Sequence, residues 1–222
     1  MELINTITNW LGSITLLQII DFIGTFAFAI SGIRLASAKQ FDWFGAYVVG
    51  AATAIGGGTL RDVILDVPVF WMHDGFYLWC TGFALLWVIL FRKYLVHMRN
   101  TFFIFDAIGL ALFTIVGIQK TLDCDLPIWA AIVMGATTGA AGGVIRDVLI
   151  NEVPLIFRKE IYAMACVVGG VIFGISDWLG APTEITLLLC GTTVFLTRVL
   201  AVKYQICLPT LKAEDEPTNK KR

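Results

Sequence analysis

The chain is short of charge. Lys, Arg, Asp and Glu make up only 15% of its 222 residues, while 58% are hydrophobic and the mean hydropathy is +0.81. Soluble domains carry about 25% charged residues, so a water-soluble globular protein is excluded. An excess of one sign is also missing: 16 basic residues face 17 acidic ones, a net charge of -1. No basic run is present to bind nucleic acid, and no nucleic-acid partner is expected. Histidine occurs twice, as His73 and His97; with no H-E-x-x-H and no G-x-S-x-G, no hydrolytic enzyme and no cofactor are expected. The five cysteines never reach C-x-x-C spacing, which excludes a disulfide framework or zinc site and leaves them as small membrane hydrophobes. No Lys or Arg precedes Arg34, so a cleaved signal peptide with a basic start is not expected.

Apolar segments are what the chain has in quantity. A membrane-crossing helix needs about 20 mainly apolar residues, and seven such spans are expected near 15–36, 41–65, 75–95, 101–120, 126–150, 159–178 and 183–203. Residues 1–203 then form one transmembrane domain, and 204–222, with mixed charges and Pro217, a solvated and disordered tail. Arg34, Lys39, Arg92, Lys93, Arg99, Arg158, Lys159 and the C-terminal basic residues fall on one side, and Lys120 alone on the other. Positive charge collects on the cytoplasmic side, so the N-terminus is expected outside and the C-terminus in the cytoplasm. Trp43, Trp71, Trp129 and Trp178 fall near span ends, as interfacial residues do; Trp79 and Trp87 are expected to pack on the third helix.

Shifting the chain by 85 residues aligns DFIGTFAFAISGI (21–33) with DAIGLALFTIVGI (106–118), and GGTLRDVIL (57–65) with GGVIRDVLI (142–150). After one inserted residue Val67-Pro68 meets Val153-Pro154, and the register returns at Tyr77 and Tyr162. Each copy holds three spans (about 15–97 and 101–178). An odd number makes the second copy enter from the opposite side. The expected fold is an all-α membrane protein: two inverted three-helix repeats plus a seventh helix, of the kind that builds a path at the repeat interface.

Gly56, Gly57 and Gly58 stand in the second span, and Gly142 and Gly143 in the matching place of the fifth. An interior glycine costs a helix roughly 0.5–1 kcal/mol relative to alanine, so both helices are expected to kink or unwind there. Freed backbone at that depth must be buried in protein or line a watery cavity. The plainer reading is close packing, since Gly50, Ala54 and Gly58, like Gly135, Gly139 and Gly143, recur every four residues. Phosphate-binding readings fail, because Thr59-Leu60-Arg61 follows the last glycine where a Lys-Ser/Thr or a further glycine is required.

Charged groups inside a span cost about 2.5–3.5 kcal/mol and must face a partner or water. By depth, Asp21 is expected to meet Arg61-Asp62 at an outer mouth and Asp106 to meet Arg146-Asp147 at an inner one, flanking a constriction. Such pairs either attract cations or only pin helices together. Ser31, Thr53, Thr114, Thr137 and Thr138 offer hydroxyl oxygens between the clusters, although such hydroxyls commonly bond their own helix. Lys120 reads as a snorkelling interfacial residue. The same groups would also serve a transporter of glycine or another small amino acid, with broken-helix ends facing the carboxylate.

Two three-span repeats plus one, with GGGTLRD (56–62) and GGVIRD (142–147) followed by Val-Pro, resemble the prokaryotic trimeric intracellular cation (TRIC) channels, a branch that overlaps the bacterial glycine-transporter-domain family. The resemblance covers residues 15 to 203. It implies a homotrimer in the lipid bilayer, with a pore in each subunit narrowed at the second and fifth helices. Monovalent cations, chiefly potassium, would pass, bound transiently and at no tight metal site. Animal members carry a Lys-Glu-Val motif associated with phosphoinositide binding. The nearest triplet here, Lys159-Glu160-Ile161, sits at a different element, so that lipid gating is not expected. The short loops fit a bacterial plasma membrane.

Overall fold

The computed structural model describes residues 15–91 and 101–209. The expected tail beyond 209, and Arg92, Lys93, His97 and Arg99, lie outside the described residues. The helices are α1 (Leu16–Ala38), α2 (Trp43–Ile64), a short α3 (Phe70–His73), α4 (Phe76–Leu90), α5 (Thr101–Leu122), α6 (Ile128–Leu149), α7 (Ala163–Trp178) and α8 (Thr183–Lys203), with a 3-10 turn at Leu155–Phe157. A helix of 15 to 23 residues stands at the place of each expected span. Caps set two of the starts: Thr15 and Gln18 form a reciprocal capping box before α1, and the Asp42 carboxylate accepts from the Gly45 N–H at 2.6 Å before α2.

By length and composition four helices, α1, α5, α6 and α8, suffice to cross a membrane. The helices α4 and α7 have 15 and 16 residues, and α2 has the length but is diluted by its glycines and Arg61-Asp62. The sixth span starts later than expected because the stretch before it is not helical: Glu160 pairs with Cys207 in a β-bridge, and the Leu208 N–H donates to the Lys159 carbonyl.

The helices α1, α2, α5 and α6 form the centre, α1 against α2 and α5, and α6 against α5 and α2; α4 covers α1 and α2, α7 covers α6, and α8 closes against α5 and α7. The inversion of the repeats can be read from contacts. Ser31, ten residues after Asp21 on α1, touches Arg146 beside Asp106. Lys120, near the end of α5, lies over the Phe70 ring beside Tyr77 and Asp21. Thus α1 runs from the Asp21 end to the Asp106 end and α5 runs back, over about 15 Å at about 1.5 Å per residue.

The repeat persists in the backbone at an offset of 85, without the expected insertion. Asp66 (φ 54°) and Asn151 (φ 56°) both take the left-handed conformation, as do Gln40 (φ 62°) and Asp125 (φ 57°). The Asp62 carboxylate accepts from the Phe70 N–H at 3.0 Å, and the Asp147 carboxylate from the Leu155 N–H at 2.9 Å. Val69 (φ -63°, ψ 118°) and Pro154 (φ -54°, ψ 141°) occupy the same extended position. Proline is preset for that geometry, so it stands one residue later in the second copy with the loop length unchanged.

The expected unwinding at the glycines does not occur: α2 and α6 run as uninterrupted α-helices through Gly56, Gly57, Gly58, Gly142 and Gly143. The glycines answer a packing need instead. A Cβ on Gly57 would collide with the Thr138 carbonyl of α6, and one on Gly142 with the Thr53 carbonyl of α2. The two helices therefore cross backbone to backbone in a reciprocal contact that only glycine admits.

The tryptophans divide differently from expectation. Trp79 is 80% exposed and turned outward, so it does not pack on its helix. Trp87 does, stacking with Phe91 at 4.3 Å between centroids and touching Phe26 and Phe83.

Candidate functional site

Each half of the molecule carries one acid–arginine cluster, built by the same local rule. The arginine in the last turn of α2 or α6 folds onto the aspartate that follows it: Arg61 Nε lies 2.8 Å and Nη2 2.7 Å from Asp62 Oδ1, and Arg146 Nε and Nη2 both lie 2.9 Å from Asp147 Oδ1. The second oxygen of each aspartate holds the following loop, as described above. All four side chains are buried. Asp62 and Asp147 thus neutralise their arginines and fasten the chain after the helix.

The aspartates on α1 and α5 break the symmetry. Asp106 makes a buried ion pair with Arg146, whose Nη1 also donates to Ser31 Oγ at 2.9 Å. The expected pairing of Asp106 with Arg146-Asp147 is therefore present. The expected pairing of Asp21 with Arg61 is not: Asp21 Oδ2 accepts from the Tyr77 hydroxyl at 2.7 Å, and the Arg61 guanidinium turns to Asp62 and the Phe70 ring, 5.6 Å from its centroid. The matching Tyr162 hydroxyl stands 3.5 Å from the Asp106 oxygen that Arg146 takes.

Two substitutions between the repeats explain the difference. Ser31, which anchors Arg146, corresponds to Val116, which offers Arg61 no acceptor. Lys120 corresponds to Leu35 and brings a second cation to the Asp21 cluster, 5.2 Å from the Phe70 centroid. Lys120 is half-buried rather than snorkelling clear of the protein.

The expected hydroxyls are taken by their own helices. Thr53, Thr114, Thr137 and Thr138 donate to the carbonyls of Val49, Leu110, Val133 and Met134, four residues back, at 2.6 to 2.9 Å. Ser31 reaches another helix, accepting from Arg146 of α6. Between the clusters the space is apolar: Phe28 is fully buried against Gly109 and Gly142, with the Phe113 ring 5.2 Å away. Phe28 and Phe113 stand seven residues beyond Asp21 and Asp106, at the same repeat offset. They were visible in the sequence only as matching letters, as were Tyr77 and Tyr162.

A cavity of about 410 Å³ opens on the Asp106 side, lined by Leu35, Lys39, Phe102, Asp147, Glu152 and Arg158 among others. Its rim carries an exposed ionic strap: Lys39 Nζ lies 2.6 Å from Glu152 Oε1, and Arg158 Nη2 3.3 Å from Glu152 Oε2. The hydrogen bond and charge of Lys39 hold the Glu152 carboxyl below its ordinary range. A lowered carboxylate pKa contributes stability above the ordinary range and loses it as pH falls through the lowered value. Thermal unfolding scans from neutral to acid pH will accordingly show a smaller acid-side loss in Glu152→Gln than in the unaltered protein, and an unchanged profile would remove the strap from the account.

The family model described as "Glycine transporter" matches residues 18–93 and 103–177. A "UPF0126 membrane protein" of Vibrio cholerae is 40% identical over 201 residues, covering 88% of this chain and 83% of the relative. The "UPF0126 inner membrane protein YadS" of Escherichia coli is 37% identical over 199 residues, 88% of this chain and 96% of the relative. Among solved structures, a TRIC cation channel superposes with a TM-score of 0.81 at 32% identity, over 91% of this chain and all of its own. The trimeric intracellular cation channel orthologue of Rhodobacter sphaeroides superposes with a TM-score of 0.80 at 32% identity, over 86% of this chain and all of its own. A Caenorhabditis elegans trimeric intracellular cation channel, at 13% identity and a TM-score of 0.58, shares the fold.

Proposed function

The chain belongs to the UPF0126 family of membrane proteins, whose family model is described as glycine transporter, and from that premise we propose that it is a channel for monovalent cations, chiefly potassium. The observation that carries the reading is the pair of acid-bearing clusters at opposite ends of the antiparallel α1 and α5, on a fold matched at full length by TRIC cation channels. Asp21 and Asp62 mark one mouth, Asp106 and Asp147 the other, and the Phe28–Phe113 contact closes the middle. Rings and pairs of carboxylates draw cations to a mouth. By the distribution of Lys and Arg the Asp106 mouth faces the cytoplasm of a bacterium, with the N-terminus outside. The protein then sits in the plasma membrane as a homotrimer, each subunit with its own path.

The transporter reading suggested by the family's description needs helix ends at mid-depth to receive a substrate carboxylate. Among the described residues α2 and α6 pass that depth unbroken, which favours the channel.

Asp21 is the more available acid, held by a tyrosine rather than an arginine. Asp21→Asn will lower potassium flux into proteoliposomes roughly tenfold, the scale of a lost local enrichment of cations, while the melting temperature stays near that of the unaltered protein. Equal flux in the two proteins would reduce the Asp21 cluster to scaffolding.

A further inference from the structure

The helix α8, which stands at the seventh expected span and is the seventh helix of the expected fold, has no counterpart in the repeat, yet it carries a buried charge. Arg198 on α8 is 1% exposed, a costly placement for an arginine within a span. Its guanidinium carbon lies 4.9 Å from the centroid of Tyr162 and 5.3 Å from that of Phe103, so one cation contacts both rings. Its Nη1 donates to the Ile161 carbonyl at 2.8 Å and stands 3.5 Å from Glu160 Oε2. Immediately after α8, Cys207 and Leu208 pair with Glu160 and Lys159. The stretch 159–162 is therefore held twice from the C-terminal end of the chain, once by a side chain and once by backbone.

That stretch delivers Tyr162 to the Asp106 mouth. The Tyr162 hydroxyl is 3.5 Å from Asp106 and abuts Gly143 of α6 so closely that a Cβ there would overlap it. The matching tyrosine is held differently among the described residues: Tyr77 is positioned by Phe70, Phe22 and its short hydrogen bond to Asp21. Tyr162 lacks that short bond, standing 3.5 Å from the same Asp106 oxygen that Arg146 takes, and the contacts from α8 are what hold its ring from the other side.

We infer that Arg198 is a positioning residue that holds Tyr162 over the Asp106–Arg146 pair, so that the seventh helix controls access to the Asp106 mouth. The geometry stands by itself; the consequence for conduction rests on the channel reading. Arg198→Gln removes the cation from both rings, and Arg198→Lys keeps a charge but loses the planar fork, which is not a conservative change at a stacked site.

Cys166, one turn along α7 from Tyr162, is fully buried and reports on the clamp; Cys190 of α8 is equally buried and reports on general loosening; Cys207 is exposed and labels freely. The test is the rate at which a methanethiosulfonate reagent modifies each thiol in the purified full chain, read by peptide mass spectrometry. Cys166 labelling will speed up about tenfold in Arg198→Gln and about threefold in Arg198→Lys, with Cys190 still protected, as a local opening requires. Unchanged Cys166 labelling in whichever variants fold, or Cys166 and Cys190 accelerating together, overturns the inference. In bilayers the same variants will raise open probability at unchanged unitary conductance; a silent unaltered protein would count against the channel reading and leave the thiol result to decide the clamp.

Discussion

Replacing Asp106 by asparagine will cost the protein about 1.5–3 kcal/mol of stability, the scale of a hydrogen bond to a charged group, whereas Asp21→Asn will cost about 1 kcal/mol, the scale of a neutral one. The two residues occupy the same position in their repeats, so sequence alone ranks them equally. The structure separates them: Asp106 is fully buried against Arg146, while Asp21 is 6% exposed and meets a neutral hydroxyl. Without Asp106, Arg146 keeps Asp147 and Ser31 but loses the carboxylate that neutralises its outer nitrogen. Thermal unfolding of the two variants in the same detergent measures the difference. Equal losses would mean that the ion pair contributes no more than the tyrosine contact.

The second large effect belongs to the glycines. Gly57→Ala and Gly142→Ala will each destabilise the protein by about 1–3 kcal/mol or more, as overpacking does. In most helices the same exchange would gain roughly 0.5–1 kcal/mol. The sign reverses because the new methyl meets a backbone carbonyl, Thr138 for Gly57 and Thr53 for Gly142, and backbone cannot rotate aside as a side chain can. Gly82 on α4 is the control, since its Cβ would find only Tyr47 at 3.9 Å; Gly82→Ala will be neutral or mildly stabilising. Comparison of folded yield and melting temperature across the three variants decides the matter. If Gly57→Ala behaved like Gly82→Ala, the crossing of α2 and α6 would have to be looser than described.

How far these features were legible in advance depended on whether they are local. The spans and the repeat follow from apolar runs and from letters recurring at one offset; the repeat survives in the backbone, and four of the helices are long and apolar enough to cross a membrane. The Arg-Asp motifs were legible as buried charge that needs a partner; that each arginine folds onto the aspartate after it was not. Two expectations failed for lack of three-dimensional information. The glycines were weighed as a helix break or as a packing face, and propensity does not choose between them; the position of the opposing carbonyls does. Asp21 was matched to Arg61 by depth alone, which cannot register that Tyr77 arrives from α4 or that Lys120 and Phe70 surround the arginine.

Arg198 is a different case. It lies five residues from the end of α8, inside the expected span 183–203, and belongs to no repeated motif. As a charge well inside an apolar span it already carried the signal of a buried partner. Its relation to Tyr162 crosses from the seventh helix to the second repeat, and no periodicity in the chain records that contact.

Current through single molecules tests the central claim most directly. Purified protein in a planar bilayer, under a potassium gradient, should give discrete unitary currents that reverse near the potassium equilibrium potential, with Asp21→Asn passing less current at each opening. Saturable glycine uptake by proteoliposomes, with no unitary current from the same preparation, would contradict the account.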